Sequence, residues 1–111
     1  MPTQVEWYDE AIALQQEGNL EEAVDKLQGL VKEHPDYALA HAALSVFQST
    51  RNRHDEAVAH AQKVAQLEPN DPFSFVALSL ICQKAGKIPE AEQALMQARE
   101  ASFRAQQDGT S

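Results

Sequence analysis

Apolar residues along this chain recur at the three- and four-residue spacing of amphipathic α-helices, and short polar turns interrupt them. Gly18, Asn52 and Gly86 stand at turns where a helix must end in the left-handed conformation. Pro35 and Pro69 end two further apolar segments. The pattern predicts an all-α chain with helices near residues 4–16, 20–33, 38–50, 54–66, 71–84 and 88–106.

Helix starts are indicated by capping sequences. Thr3 with Glu6, and Asn19 with Glu22, have the spacing of capping boxes, in which each partner accepts a hydrogen bond from a free backbone N–H. A further start is indicated at residues 71–72, where an aspartate precedes a proline at the first helical position.

The helices repeat as pairs with a period of 34 residues. The segment GNLEEAVDKL at 18–27 returns as NRHDEAVAHA at 52–61 and as GKIPEAEQAL at 86–95. Such a period indicates stacked helical repeats, each burying its apolar face on the next. We therefore predict one domain over residues 1–107, with repeats at about 4–37, 38–71 and 72–105 and a disordered tail at 108–111.

Positions 34 residues apart share residue types. The columns are small residues at Ala11, Ser45 and Ser79; alanines at Ala23, Ala57 and Ala91; and Trp7, His41 and Phe75. Together with the turn glycines and the two prolines, these columns resemble the tetratricopeptide repeat (TPR) family. The resemblance implies a TPR-like right-handed α-solenoid of three antiparallel helix pairs. Departures from the family pattern are Arg53, Gln48, Cys82 and Phe103. Because Phe103 replaces the third proline, we expect an extended last helix.

In the family, the first helix of each pair lines a concave groove that binds protein segments. The residues that would line it here are Val5, Tyr8, Asp9, Ile12, Leu39, Ala42, Val46, Phe73, Val76, Leu80 and Lys84, with a polar margin at Gln15, Gln16, Ser49, Thr50 and Gln83. The resemblance therefore implies a non-enzymatic adaptor or scaffold. We expect its groove to bind an apolar or amphipathic segment of another protein.

Some family members grip the C-terminal carboxylate of chaperones through lysine, asparagine and arginine. The positions that would carry this clamp are Tyr8, Ile12, Ala43, Phe73 and Ala77, and none of them is a suitable donor. Two alternatives stay open. One is a scaffold that self-associates through the groove or through Met96 and Phe103 of the last helix; the other is a small secretion-type chaperone for one client.

Charge narrows the class of partner. The chain of 111 residues carries a net charge of −8, and residues 1–37 hold nine acidic residues against two lysines. Nucleic acid and anionic membranes are therefore disfavoured, and a partner with basic residues flanking its apolar segment is favoured. Two interpretations of the acidic first repeat stay open: it contacts basic residues of a partner, or it is only a solvated surface.

Candidates for chemistry are few. No two of the four histidines have the helical spacing of a metal pair, and Cys82 is expected to be a packed core thiol. His41, in a core column, is expected to make stability depend on pH. No catalytic or phosphate-binding motif is found, so we predict neither catalysis nor a metal or cofactor. The single cysteine and the missing signal-peptide pattern suit the cytoplasm.

Overall fold

The computed structural model describes residues 2–109, and within that range it contains six α-helices and no strand. The helices are α1 (Gln4–Gln16), α2 (Leu20–Glu33), α3 (Ala38–Thr50), α4 (His54–Leu67), α5 (Pro72–Lys84) and α6 (Ile88–Gly109). The predicted fold class is confirmed, including the extended last helix. Because α6 ends at Gly109, half of the predicted disordered tail is helical; Thr110 and Ser111 lie outside the described residues.

The three turns within the helix pairs share one geometry. Gly18, Asn52 and Gly86 have φ angles of 90°, 62° and 78°, in the left-handed region that glycine and asparagine adopt most easily. In each turn the next residue's N–H donates to a carbonyl five residues back, at 2.8 Å; the pairs are Asn19–Leu14, Arg53–Gln48 and Lys87–Cys82. This bond satisfies a carbonyl at the end of the first helix and turns the chain back to begin the second.

Two of the predicted helix caps are present and one is wrong. Thr3 and Glu6 form a capping box, with the Thr3 hydroxyl accepting from the Glu6 N–H at 3.1 Å. The Asp71 carboxylate accepts from the N–H of Phe73 at 3.0 Å. Asn19, in contrast, makes no side-chain cap bond. Its ψ angle of 62° follows from the left-handed turn before it, and this is not the extended conformation that an N-cap requires.

The apolar core consists of two clusters that do not coincide with the three repeats. One joins α1, α2 and α3 and contains Ala11, Ala23, Val24, Leu27, Leu30, Ala40, Ala43, Leu44 and Phe47. The other joins α4, α5 and α6 and contains Ala57, Val58, Ala61, Ala65, Phe75, Leu78, Ile81, Cys82, Ala91, Ala94, Ala98 and Ala101. The alanine column of the repeat is fully buried, as predicted, since only a small side chain fits where two helices cross closely.

The boundary between the clusters lies inside the second repeat, where α3 meets α4 through polar side chains. We call this contact the polar seam and define it as His41, Gln48, Glu56 and His60. Gln48 is 1% exposed, and its side-chain amide donates to the Glu56 carboxylate at 3.0 Å. The two imidazoles lie with their Nδ1 atoms 3.0 Å apart. Hydrogen bonds across the seam thus pair polar side chains where α3 and α4 meet.

The tautomers of the histidine pair follow from its third partner. His41 Nε2 is 2.8 Å from the carbonyl oxygen of Pro35, which only accepts, so this nitrogen carries the proton. With both rings neutral, His41 Nδ1 is then an acceptor and His60 Nδ1 donates to it. A second proton on His60 would place a positive charge against the His41 ring, with the two Nδ1 atoms 3.0 Å apart.

The pair makes stability depend on pH. Burial, and next the neighbouring His41, lower the pKa of His60 below its usual 6.5, although Glu56 opposes the shift. The unfolded chain therefore binds a proton at His60 more readily than the folded chain does. We expect the contribution of neutral His60 to the free energy of unfolding to be fully present above about pH 6.5. It should be lost as the pH falls below that value towards the lowered pKa of the folded chain. Chemical denaturation at a series of pH values measures this dependence of the free energy of unfolding on pH.

The matched control is His60→Gln, which keeps a donor at the seam but does not titrate. Its unfolding free energy should change less than that of the natural chain between neutral pH and pH 5. Equal slopes for the two proteins would contradict a role for His60.

Candidate binding face

The helices α1, α3 and α5 each bury one stripe and leave a second stripe uncovered. Ala11, Ser45 and Ser79 belong to the buried stripe, at 0%, 4% and 1% exposure. At helical spacing from them lies the other stripe, which we call the groove face. Its apolar members are Val5, Tyr8, Ile12, Leu39, Ala42, Val46, Phe73, Val76 and Leu80.

Most of the predicted site residues on the groove face are exposed to solvent. Phe73 is 77% exposed, and Val5, Leu39, Val46, Val76 and Leu80 are between 38% and 59% exposed. Asp9 and Lys84 are also exposed, whereas Tyr8, Ile12 and Ala42 are half-buried. The apolar part of the face extends over all three repeats. Uncovered apolar area of this kind marks a contact surface more often than an ordinary surface.

One predicted margin residue is misplaced. Ser49 is buried, at 7% exposure, while its equivalents Gln15 and Gln83 are exposed. Ser49 belongs to α3, which has a helix pair on either side, and its short side chain is covered by them. The longer glutamines lie on end repeats that lack one of these neighbours. The polar margin of the face is therefore interrupted in its middle.

The Tyr8 ring is held in place at the first-repeat end of the face. It packs edge-to-face on Tyr37, with ring centroids 6.3 Å apart and an interplanar angle of 74°. Burial, and secondarily Tyr37 and Asp9, raise the pKa of the Tyr8 hydroxyl, so it stays protonated at neutral pH. The face thus offers a fixed aromatic ring with a hydroxyl donor beside the carboxylate of Asp9.

The two acids of α1 that follow Tyr8 have different surroundings. Glu10 points away from the groove face and pairs with Lys26 of α2, at 3.1 Å between carboxylate and ammonium. Asp9 is exposed on the groove-face side. Of the two, Asp9 is the one placed to meet a basic group on a bound segment, while Lys84 is the cation of the face, at its third-repeat end.

The positions of the family's carboxylate clamp present no positive charge. Ala43 is buried, at 9% exposure, and Tyr8 and Ile12 are half-buried. Phe73 and Ala77 are exposed but apolar. A terminal carboxylate placed there would be desolvated without a charged donor, which is costly.

Two hollows of larger volume lie away from the centre of the groove face. One of about 630 Å³ surrounds Trp7 at the outer end of α1 and α2, where the indole N–H donates to the Lys26 carbonyl at 2.9 Å. Another, of about 500 Å³, lies between α4 and α6 over Phe75 of α5, and glutamines of α4 and α6 form much of its lining (Gln62, Gln66, Gln93 and Gln97). A smaller hollow, of about 320 Å³, adjoins the third-repeat end of the groove face, where Phe73 and Val76 line it together with side chains of α6. The apolar side chains of the face extend over three helices, an arrangement that suits a protein segment better than a small molecule.

Reactive side chains on the described part of the chain are few. Cys82 is buried, and burial is the main cause that raises its pKa, so the sulfur is a protonated thiol in the core rather than a nucleophile. Among the side chains that the structure describes, at residues 2–107, no three of His, Cys, Asp or Glu are grouped so as to hold a metal ion. None of the helices described has the length and apolarity needed to cross a bilayer.

The histidine contact of the polar seam was missed by the sequence reasoning, which compared histidines along one helix only. His41 and His60 are 19 residues apart, and so are Trp7 and Lys26, which touch at the equivalent place in the first repeat. The repeat period relates the two pairs, so a contact in one repeat indicates the same contact in the next.

Comparison with known proteins supports the repeat assignment. A family model described as tetratricopeptide repeat matches residues 14–72, more than half of the chain. Among solved structures, the crystal structure of MamA aligns with a TM-score of 0.83 at 20% identity and covers 95% of this chain. The second TPR domain of Spaghetti (RPAP3), bound to the HSP90 peptide SRMEEVD, aligns with a TM-score of 0.76 at 17% identity over 88% of this chain.

A chain of the CopN–Scc3 complex also aligns, with a TM-score of 0.80 at 17% identity over 88% of this chain. At these low identities, the TM-scores show a shared fold alone. The chain spans only 61% of the MamA chain and 58% of the matched chain in the CopN–Scc3 complex, but it covers 91% of the RPAP3 domain. No curated protein is a match.

Proposed function

The chain belongs to the tetratricopeptide repeat family, and from this we propose that it is a non-enzymatic adaptor whose groove face binds an apolar or amphipathic segment of another protein. Repeats of this family are protein–protein interaction modules. The observation that carries the proposal is the groove face, because its apolar side chains stay exposed along three helices. The buried, protonated Cys82 suits a reducing compartment, and we place the adaptor in the cytoplasm.

The shape and chemistry of the face define the segment it would accept. Exposed apolar side chains at positions 5, 39, 46, 73, 76 and 80 form separate anchoring points rather than one deep pocket. A helix that presents apolar residues at i, i+3 or i+4 and i+7 meets such a surface along its length. Lysine or arginine flanking that stripe would lie near Asp9 and the acidic first repeat.

The proposed ligand differs from that of the RPAP3 domain. The peptide SRMEEVD, to which that domain is bound, is acidic and ends in a carboxylate. Here the clamp positions are apolar or buried, and the chain carries a net charge of −8, so the same peptide would be repelled without compensation. The shared fold therefore supports a shared binding face with different specificity.

A peptide selection tests this proposal. We expect a displayed library of random helical peptides, selected on the natural chain, to yield apolar stripes with flanking lysine or arginine, while the peptide SRMEEVD shows no binding in a fluorescence titration. Gln28→Lys adds a positive charge at an exposed position on α2, away from the groove face, and should leave the affinity for the selected peptides unchanged. Enrichment of acidic C-terminal peptides, or strong binding of SRMEEVD, would show that the proposed specificity is wrong.

A further inference from the structure

The outer surface of α6 carries a stripe that the proposed function does not use. Pro89, Glu92, Met96, Arg99 and Phe103 are all exposed, and they alternate at spacings of three and four residues. Met96 is 55% and Phe103 is 60% exposed. This spacing places the five side chains in one line along the helix, which is the arrangement of a helix–helix contact seam. We propose that two copies of the chain pair through this stripe, with their α6 helices antiparallel about a two-fold axis near Met96.

The two ends of the solenoid differ in a way that excludes head-to-tail stacking. In the second repeat, Ala40 and Leu44 are fully buried against the first repeat. Their equivalents on α1 are Glu6 and Glu10, which are exposed. A copy stacked on α1 in the manner of the internal repeats would bury these two carboxylates without basic partners, at high cost. The α1 end is therefore a polar cap. Pairing through α6 must then bring the α6 surface of one copy against the α6 surface of the other, about a two-fold axis.

An antiparallel pair of α6 helices centred on Met96 places side chains of opposite charge, and apolar side chains of different size, opposite each other across the two-fold axis. Each α6 residue meets the residue of the second copy that is equally far from Met96 on the other side. Phe103 then meets Pro89, and Arg99 lies within about one residue rise, roughly 1.5 Å along the axis, of Glu92. Symmetry forms each of these contacts twice. Neither Arg99 nor Glu92 takes part in the ion pairs that the structure describes within one copy.

The surface beside the stripe has room for the aromatic ring. A hollow of about 440 Å³ is lined by Pro89, Glu92, Gln93, Leu95, Met96 and Arg99. In the register centred on Met96, Phe103 of the second copy lies at this hollow. Knobs from one helix entering hollows of the other are the packing that stabilises a helix pair. The shape of the surface and the charges on it thus point to the same register.

Sedimentation equilibrium over a concentration series tests the pairing. We expect a monomer–dimer equilibrium, and Phe103→Glu should raise its dissociation constant about tenfold or more. Arg99→Glu and Glu92→Arg should each weaken the dimer, and the double variant should recover it because the charge pair is restored in reverse. Val46→Lys on the groove face is the control and should leave the dimer unchanged. Circular dichroism melts identify any variant that is merely unfolded.

Thiol cross-linking tests the register independently, since the native Cys82 is only 1% exposed. Met96→Cys should cross-link with its own copy. Phe103→Cys should not, because two such thiols would lie about 21 Å apart along the helices. A mixture of Phe103→Cys and Pro89→Cys chains should form the mixed dimer.

Three outcomes would overturn the pairing: a strict monomer at the highest concentration, a dimer that Phe103→Glu leaves intact, or a dimer that only Val46→Lys disrupts. The last would place self-association on the groove face. Arg99 lines a hollow with Phe73 and Val76 of the groove face, whereas Met96 and Phe103 do not. The Met96 and Phe103 variants therefore test pairing separately from peptide binding.

Discussion

Leu44→Ala should lower the free energy of unfolding by about 2–5 kcal/mol. Leu44 is fully buried in the cluster that joins α1, α2 and α3. Removing three of its carbons leaves a cavity that rigid helices on both sides fill only in part. Because small domains are stabilised by only about 5–15 kcal/mol in total, this single change should shift the midpoint of urea denaturation strongly.

Leu39→Ala provides a control with the same chemical change on the same helix. Leu39 is 54% exposed on the groove face, so its truncation should change the free energy of unfolding by no more than about 0.5 kcal/mol. The two variants together separate the core stripe of α3 from its uncovered stripe. Equal destabilisation by both changes would mean that this division of α3 is wrong.

The second large effect concerns binding. Phe73→Lys combined with Leu80→Lys should weaken a peptide selected on the natural chain by at least about thirtyfold, equivalent to roughly 2 kcal/mol. Both side chains are well exposed, so their replacement removes anchoring points without opening the core. The added ammonium groups also repel a segment with basic flanks. Isothermal titration with the selected peptide measures the loss.

The control for the double variant adds the same charge elsewhere. Gln28→Lys with Gln66→Lys places two lysines at exposed positions on α2 and α4 and should leave peptide affinity nearly unchanged. Tyr8→Ala is less useful than Phe73→Lys, because it also removes the ring contact with Tyr37 and so disturbs packing. If the groove-face double variant binds like the control, the peptide site lies on another surface.

The sequence predicted the helices well because their ends have local causes. Turns that need a left-handed residue contain glycine or asparagine, and Thr3 and Asp71 cap the helices that follow them. The 34-residue period then shows which positions of the three repeats are equivalent, and so which of them belong to the buried stripe and which to the uncovered stripe. These features depend on neighbours in sequence, which a single chain displays directly.

The errors concern contacts that depend on the position of a repeat within the stack. Ser49 is buried because α3 has neighbours on both sides, although its equivalents at the ends are exposed. Asn19 fails as a cap because the preceding turn sets its backbone angles. The period shows which positions are equivalent, but not which of them a neighbouring repeat covers.

The polar seam has a consequence for how the chain folds and opens. The apolar clusters of α1–α3 and of α4–α6 are separate, and two side-chain hydrogen bonds join α3 to α4 between them, one of them between imidazole rings. The two divisions of the apolar core therefore contain three helices each and do not coincide with the two-helix sequence repeats. Because protonation of His60 is disfavoured in the folded chain, acidification should weaken the contact between α3 and α4 and make local opening at the seam more frequent.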